Sequence, residues 1–259
     1  MTPPLLSTAY LPSVAYMAVL ARHGSAAIEQ KETFPKQTFR NRAAIATGNG
    51  VLMLNVPVIR PYGNHTRTDQ MTLSYSEPWN IRHWRAIVAA YSAAPYFLYY
   101  RDGLEKILLQ HYDRLLDLND ALLRYLLQKF KIDCHITYTD TFTPPSDNPS
   151  DLRTLLTDKH TLPHPTSQNA PAVPFLKGYA EGGGYVPTLN GSSVESRGQI
   201  PRFALCRDQE LSRRNFHFPP YPQVFDTRFG FLPNLSAIDL LFNLGPEAKQ
   251  LLMQTNPLL

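Results

Sequence analysis

Arg42-Ala43-Ala44-Ile45-Ala46-Thr47-Gly48-Asn49-Gly50-Val51-Leu52-Met53-Leu54-Asn55-Val56-Pro57-Val58 decides the fold. Two apolar runs, Arg42 to Thr47 and Val51 to Val58, flank Gly48-Asn49-Gly50. Glycine and asparagine accept the positive φ angles of a tight turn, so this pattern predicts a β-hairpin over about 42–58.

Just upstream lies Ile28-Glu29-Gln30-Lys31-Glu32-Thr33-Phe34-Pro35-Lys36-Gln37-Thr38-Phe39-Arg40-Asn41-Arg42. It packs charges, amides and aromatics around one proline, between a strand-like run at Ala26 to Gln30 and the hairpin. Polar groups where strands meet a loop are where α/β proteins often place their chemistry. Further upstream, Leu5 to Leu11 reads as a short strand. Pro12-Ser13 opens a helix through Val14, Met17, Ala18 and Ala21, with Ser13 as N-cap and His23-Gly24 as the stop.

Downstream of the hairpin, Asp69 to Tyr75 reads as a strand. After Glu77-Pro78 the period becomes helical, with Trp79, His83, Ile87, Val88 and Tyr91 recurring up to Ala94-Pro95. A second helix is expected from Asp102-Gly103 to about Tyr112. A third is expected from Leu115 to Phe130, burying Leu115, Leu118, Leu122, Leu126 and Phe130. Cys134 to Thr139 is a late β segment. Residues 143–222 hold 12 of the 23 prolines. Apart from a short helical pattern at Asp151 to Leu156, they show no lasting period. Order resumes at Tyr221. Ser236 and Asp239 have capping-box-like spacing, and Gly245-Pro246 ends one helix and starts the next. The expectation is an α/β protein: a mixed sheet with a β-hairpin flanked by helices, plus a long Pro/Gly-rich insertion. It forms a single domain over 1–259, with the loop or insertion at 157–218 inside it.

The composition is globular, with 43% hydrophobic and 18% charged residues. The net charge is +4, and residues 1–60 account for it: Arg22, Lys31, Lys36, Arg40, Arg42 and Arg60 against Glu29 and Glu32. So local an excess suits an anionic group on a small substrate better than the basic stripe of a nucleic-acid face. Cys134 and Cys206, the two cysteines, are expected as free thiols in a reducing compartment. The N-terminal apolar run is broken by Tyr10, Pro12, Ser13 and Tyr16, unlike a signal peptide. No stretch reaches the roughly 18 apolar residues needed to span a bilayer. These features lead to the expectation of a cytoplasmic protein without a membrane span.

Among candidate site residues, Lys36, Arg40 and Arg42 are suited to a phosphate or carboxylate, the arginines in bidentate fashion. Gln37 and Asn41 are suited to reading hydroxyls or amides. Glu29, at a strand end, is a candidate general base if desolvated. A solvated loop with surface ion pairs is the plainer account of the same charges. His83 shares a helix face with Trp79 and lies early in its helix, where the dipole favours neutral imidazole. A core histidine bonded to backbone is the commoner case. Tyr10 stands between the first strand and first helix, and Trp84 offers stacking surface or core. Nothing matches a metal-ligand spacing: Pro163 separates His160 from His164. Gly182-Gly183-Gly184 lacks the ending of a P-loop. There is no Gly-x-Ser-x-Gly elbow. The sequence specifies no cofactor and no oligomeric state.

Leu6-Ser7-Thr8-Ala9-Tyr10-Leu11-Pro12, Ile28-Glu29-Gln30, Phe34 to Arg42, Asn55-Val56-Pro57-Val58, Trp79 to Trp84 and Phe231 to Pro246 together resemble the WbqC-like family, over roughly 5–155 and 221–256. That resemblance implies a place in surface-polysaccharide (O-antigen) gene clusters. It also implies a suggested aminoacyl (glycyl) transfer onto sugars. By position, the family's polar motif falls on Glu29, Lys36, Gln37, Arg40, Asn41, Arg42, His83 and Trp84. The resulting expectation is a transferase moving an acyl or aminoacyl group to a sugar or sugar nucleotide. Glu29, His83 and Asn41 would be catalytic. Tyr10, Lys36, Gln37, Arg40, Arg42 and Trp84 would bind the anionic substrate, a sugar nucleotide or acyl donor. The alternative is a non-catalytic protein of the same pathway that binds a nucleotide-sugar or carrier.

Overall fold

Alternation along the hairpin segment sends its side chains to two apolar environments. β3 (Arg42–Thr47) pairs antiparallel with β4 (Gly50–Asn55), from Arg42 opposite Asn55 to Thr47 opposite Gly50. Gly50 takes a φ of 107°, a region that favours glycine. Ala43, Ile45 and Leu54 join the main core, while Ala44 and Ala46 pack with Phe39, Leu232 and Leu235 in a second cluster. The computed structural model describes residues 2–145, 150–153, 156 and 217–255. The Pro/Gly-rich stretch expected at 157–218 therefore falls, up to residue 216, outside the described residues, as do His160, His164, Gly182 to Gly184 and Cys206.

Three parallel strands form a separate sheet in the order β1 (Leu5–Ser7), β2 (Ser25–Glu29), β7 (His135–Tyr138). α1 (Val14–Arg22) connects β1 to β2. Ser13 caps it, its Oγ accepting from Tyr16 N at 3.4 Å. A side-chain acceptor there satisfies one of the unpaired first-turn amides. α1 is buried from Val14 to Leu20 and packs on the C-terminal helices α6 (Ala237–Leu244) and α7 (Ala248–Gln254). Between β2 and β7 the chain makes the hairpin, the short pair β5 (Val58–Ile59) and β6 (Thr72–Leu73), and α2 (Trp79–Tyr91), α3 (Phe97–Leu109) and α4 (Leu115–Phe130). The short helix α5 (Asp226–Phe229) precedes α6. The fold is mixed α/β: a small parallel sheet, an antiparallel hairpin and flanking helices.

Four sequence expectations change. The first strand stops at Ser7, and Leu11 takes a left-handed φ of 42°. The expected strand at Asp69 to Tyr75 is a 3₁₀ turn at Thr68–Gln70 followed by the two residues of β6. The helix expected from Asp102 begins at Phe97 instead, and Gly103 lies inside it. A Cβ on Gly103 would sit 2.6 Å from the Tyr125 ring, so that glycine serves close packing of α3 on α4 rather than a helix start. Ser236 does flank α6, but its hydroxyl donates to Leu11 O and Asp239 points to Tyr221 and Gln223, so no capping box forms.

Candidate functional site

The loop after β2, the start of β3 and the segment after β4 close around an open cleft of about 380 Å³. Phe34, Lys36, Gln37, Asn41, Arg42, Asn55, Val56, Pro57, Val58 and Arg60 line it. Arg42 and Asn55 face each other because they are cross-strand partners at the open end of the hairpin. Arg42 Nε donates to Asn55 Oδ1 at 3.1 Å, which also accepts from Asn41 Nδ2 at 3.3 Å. Asn41 closes the hairpin's end: its Nδ2 donates to Val56 O at 2.9 Å and its carbonyl accepts Val56 N at 2.8 Å. Arg60 enters from the far side, its guanidinium 5.4 Å from the Phe34 ring centre. That distance gives a cation–π contact that fixes the planar group.

Lys36 and Gln37 are exposed and Arg42 and Arg60 half-buried. None of Lys36, Arg42 and Arg60 pairs with a carboxylate among the described residues. Gln37 holds a left-handed φ of 60°. A non-glycine residue there costs on the order of 1–3 kcal/mol, and such residues cluster at ligand sites.

Behind the cleft is a buried aromatic group. Tyr10 Oη lies 2.9 Å from His83 Nδ1, and Trp79 packs edge-on against both rings. His83 also meets the Asn55 backbone. Burial lowers the His83 pKa from 6.5 to about 4 and pushes the Tyr10 phenol far above its ordinary value. Both are neutral at pH 7, so the pair is a phenol–imidazole hydrogen bond. Burial is the largest cause of the lowered His83 pKa, opposed by the hydrogen bond to the Asn55 backbone.

The structure does not bring the remaining candidates to the cleft. Arg40 is 4% exposed and forks onto Glu32, Nε to Oε1 at 2.8 Å and Nη2 to Oε2 at 2.9 Å, with a further bond to Ser7 Oγ. Glu29 is fully buried. Its carboxylate accepts from Lys31 N and Thr139 Oγ1, both at 2.7 Å, and from Thr143 N at 2.9 Å, with Arg153 Nη1 at 3.7 Å. Trp84 stacks on Phe97 in the core, 6.2 Å between centres. Conversely, Arg60 belongs to the cleft and was absent from the sequence candidates. Its signal was parity, because Val58 and Arg60 share a face of an extended segment. Among the described residues, no group of three His, Cys, Asp or Glu side chains is placed to hold a metal ion. No helix among them is long and apolar enough to cross a membrane.

This site lies wholly inside the span, residues 8–162, over which the chain matches the WbqC-like protein family. The chain belongs to the WbqC-like family. The WbqC-like chain is also 27% identical over 247 residues to the uncharacterised protein Rv1507c of Mycobacterium tuberculosis, with 94% of each chain covered. No solved structure matches it significantly.

Proposed function

We propose that this WbqC-like protein captures a phosphate-bearing small molecule in the Lys36–Arg42–Arg60 cleft. There it takes part in transferring an acyl or aminoacyl group to a sugar or sugar nucleotide of a surface polysaccharide. The observation that carries the reading is three cations lining one cleft without a described carboxylate partner. Such charge is left for a ligand to neutralise. In the transfer, a nitrogen or oxygen of the sugar forms the new bond to the acyl carbon. The bond to the donor's phosphate or thiol breaks, and the nucleophile's proton ends on the departing thiolate or phosphate or in solvent. Lys36, Arg42 and Arg60 bind phosphate, and Asn41 and Asn55 orient Arg42.

One observation supports a second reading, non-catalytic capture of the same ligand. The ten residues lining the cleft include no carboxylate and no imidazole. Glu29 and His83 lie buried elsewhere with their own partners. Mass spectrometry of sugar nucleotides incubated with the protein and acyl-coenzyme A or aminoacyl-adenylate donors separates the two. A mass gain lost in Arg42→Ala supports transfer. Saturable binding without product supports capture. No binding of any donor or sugar nucleotide refutes both.

A further inference from the structure

Resting on the reading that the cleft takes an anion, we infer that its ligand is specifically a diphosphate ester. Four observations lead there. First, every charged group left free is a donor, and the acceptors beside them are the neutral amide oxygens of Gln37 and Asn41. Asn55 Oδ1 already accepts from Arg42 Nε and Asn41 Nδ2. Only an oxygen accepts from two N–H groups, so the Asn55 amide nitrogen is the atom left for a ligand. Lys36 Nζ, the Arg42 Nη groups and the Arg60 guanidinium donate as well. A ligand complementary to a set dominated by charged donors is one rich in acceptor oxygens.

Second, the three cations carry more charge than one carboxylate neutralises, and no described carboxylate competes for them. Third, they come from three separate stretches of the chain that line one cleft of about 380 Å³. A ligand with oxygens on two linked centres offers three cations more contacts than a single-centre anion does. Fourth, both guanidiniums are held from behind, Arg42 by Asn55 and Arg60 by the Phe34 ring. Preorganised planar donors favour bidentate phosphate recognition. Phe34, Pro57 and Val58 give the esterified part an apolar wall.

A nucleotide and a lipid-linked sugar both supply this diphosphate, and titration calorimetry at fixed ionic strength distinguishes them. Sodium pyrophosphate is expected to bind at least ~10-fold tighter than orthophosphate, a difference of about 1.4 kcal/mol. Acetate is expected to give no heat. Arg60→Gln should bring pyrophosphate down to the orthophosphate level, and Arg60→Lys should recover part of the difference. Uridine diphosphate glucose binding tighter than pyrophosphate identifies a nucleotide ester, and geranyl diphosphate doing so identifies a lipid ester. Equal affinity for pyrophosphate and orthophosphate, preference for acetate, or rejection of both esters overturns the diphosphate assignment while leaving an anion cleft. Silence from every anion overturns the anion reading too.

Discussion

Arg40 and Arg42 are two residues apart, carry the same side chain and meet opposite fates. Arg40 precedes β3. Its guanidinium turns inward onto Glu32 and Ser7, and its carbonyl accepts from Asn119 Nδ2 at 2.8 Å. Arg42 begins β3 opposite Asn55, uses one nitrogen to hold that neutral partner, and leaves the others open in the cleft. Where a buried cation has been matched to a carboxylate, the pair fixes one geometry, and neither member is free for a ligand. Where cations gather without a counter-charge, the unspent attraction is available for binding. One short basic motif thus divides into a half that holds the fold and a half that faces the solvent.

The largest effect should come from breaking the buried half. Arg40→Ala leaves the Glu32 carboxylate, 9% exposed, without its fork. Breaking a buried pair on one side typically costs about 3–5 kcal/mol, whereas replacing both partners with apolar groups is often near neutral. Urea unfolding should therefore show a loss of that size for Arg40→Ala and a smaller loss for Arg40→Met with Glu32→Leu. If Arg40→Ala unfolds like wild type, the contrast between the two arginines fails.

His83 tests whether the group behind the cleft belongs with the buried half. Its folded-state pKa is lowered to about 4 from 6.5 by burial. A group with a depressed pKa contributes stability that is present above the unfolded value and lost as pH falls through the folded one. The window is pH 6.5 down to about 4. Over it, the stability of wild type relative to His83→Gln should fall by roughly 3 kcal/mol. A flat difference across that range would mean that solvent reaches the imidazole and would return it to the list of candidate bases.

Much of the frame was legible because short-range patterns dictate it. The turn glycines marked the hairpin, Ser13 marked the α1 cap, and the leucine period from Leu115 bounded α4. The α3 start was not legible. Tyr96-Phe97-Leu98-Tyr99 carries no cap signal, Tyr96 makes no side-chain cap, and the reason for Gly103 lies on another helix. The candidate site was half legible for a related reason. Sequence identifies cations, but the presence of Glu32 beside Arg40 rather than Arg42 is a tertiary fact. Trp79 and Trp84 divide the same way: spacing put Trp79 with His83, yet only packing assigns Trp84 to Phe97.

A smaller effect, of opposite sign, is expected on the cleft wall. Gln37 sits at φ 60° in an exposed position where glycine carries no steric penalty. Gln37→Gly should raise stability, or leave it level, by up to about 1 kcal/mol, since relief of strain competes with a freer unfolded chain. Ligand affinity should fall at the same time, because the loop that presents Lys36 loses its stiffness. A variant that is stabler and binds better would show that the strain has no part in the site.

The smallest stability change is expected at Arg42. Its hydrogen bond to Asn55 is exposed and no described carboxylate depends on it, so Arg42→Ala should unfold within about 0.5 kcal/mol of wild type. A ligand that binds only the folded state stabilises it by an amount that grows with concentration over Kd. Pyrophosphate should therefore raise the melting temperature of wild type but not of Arg42→Ala, while their ligand-free melting temperatures coincide. The two measurements together separate the arginines: one substitution changes the fold and the other changes only what the fold binds. Should Arg42→Ala melt early and still respond to pyrophosphate, the roles of the two arginines would be reversed, and the cleft would owe its charge to Lys36 and Arg60 alone.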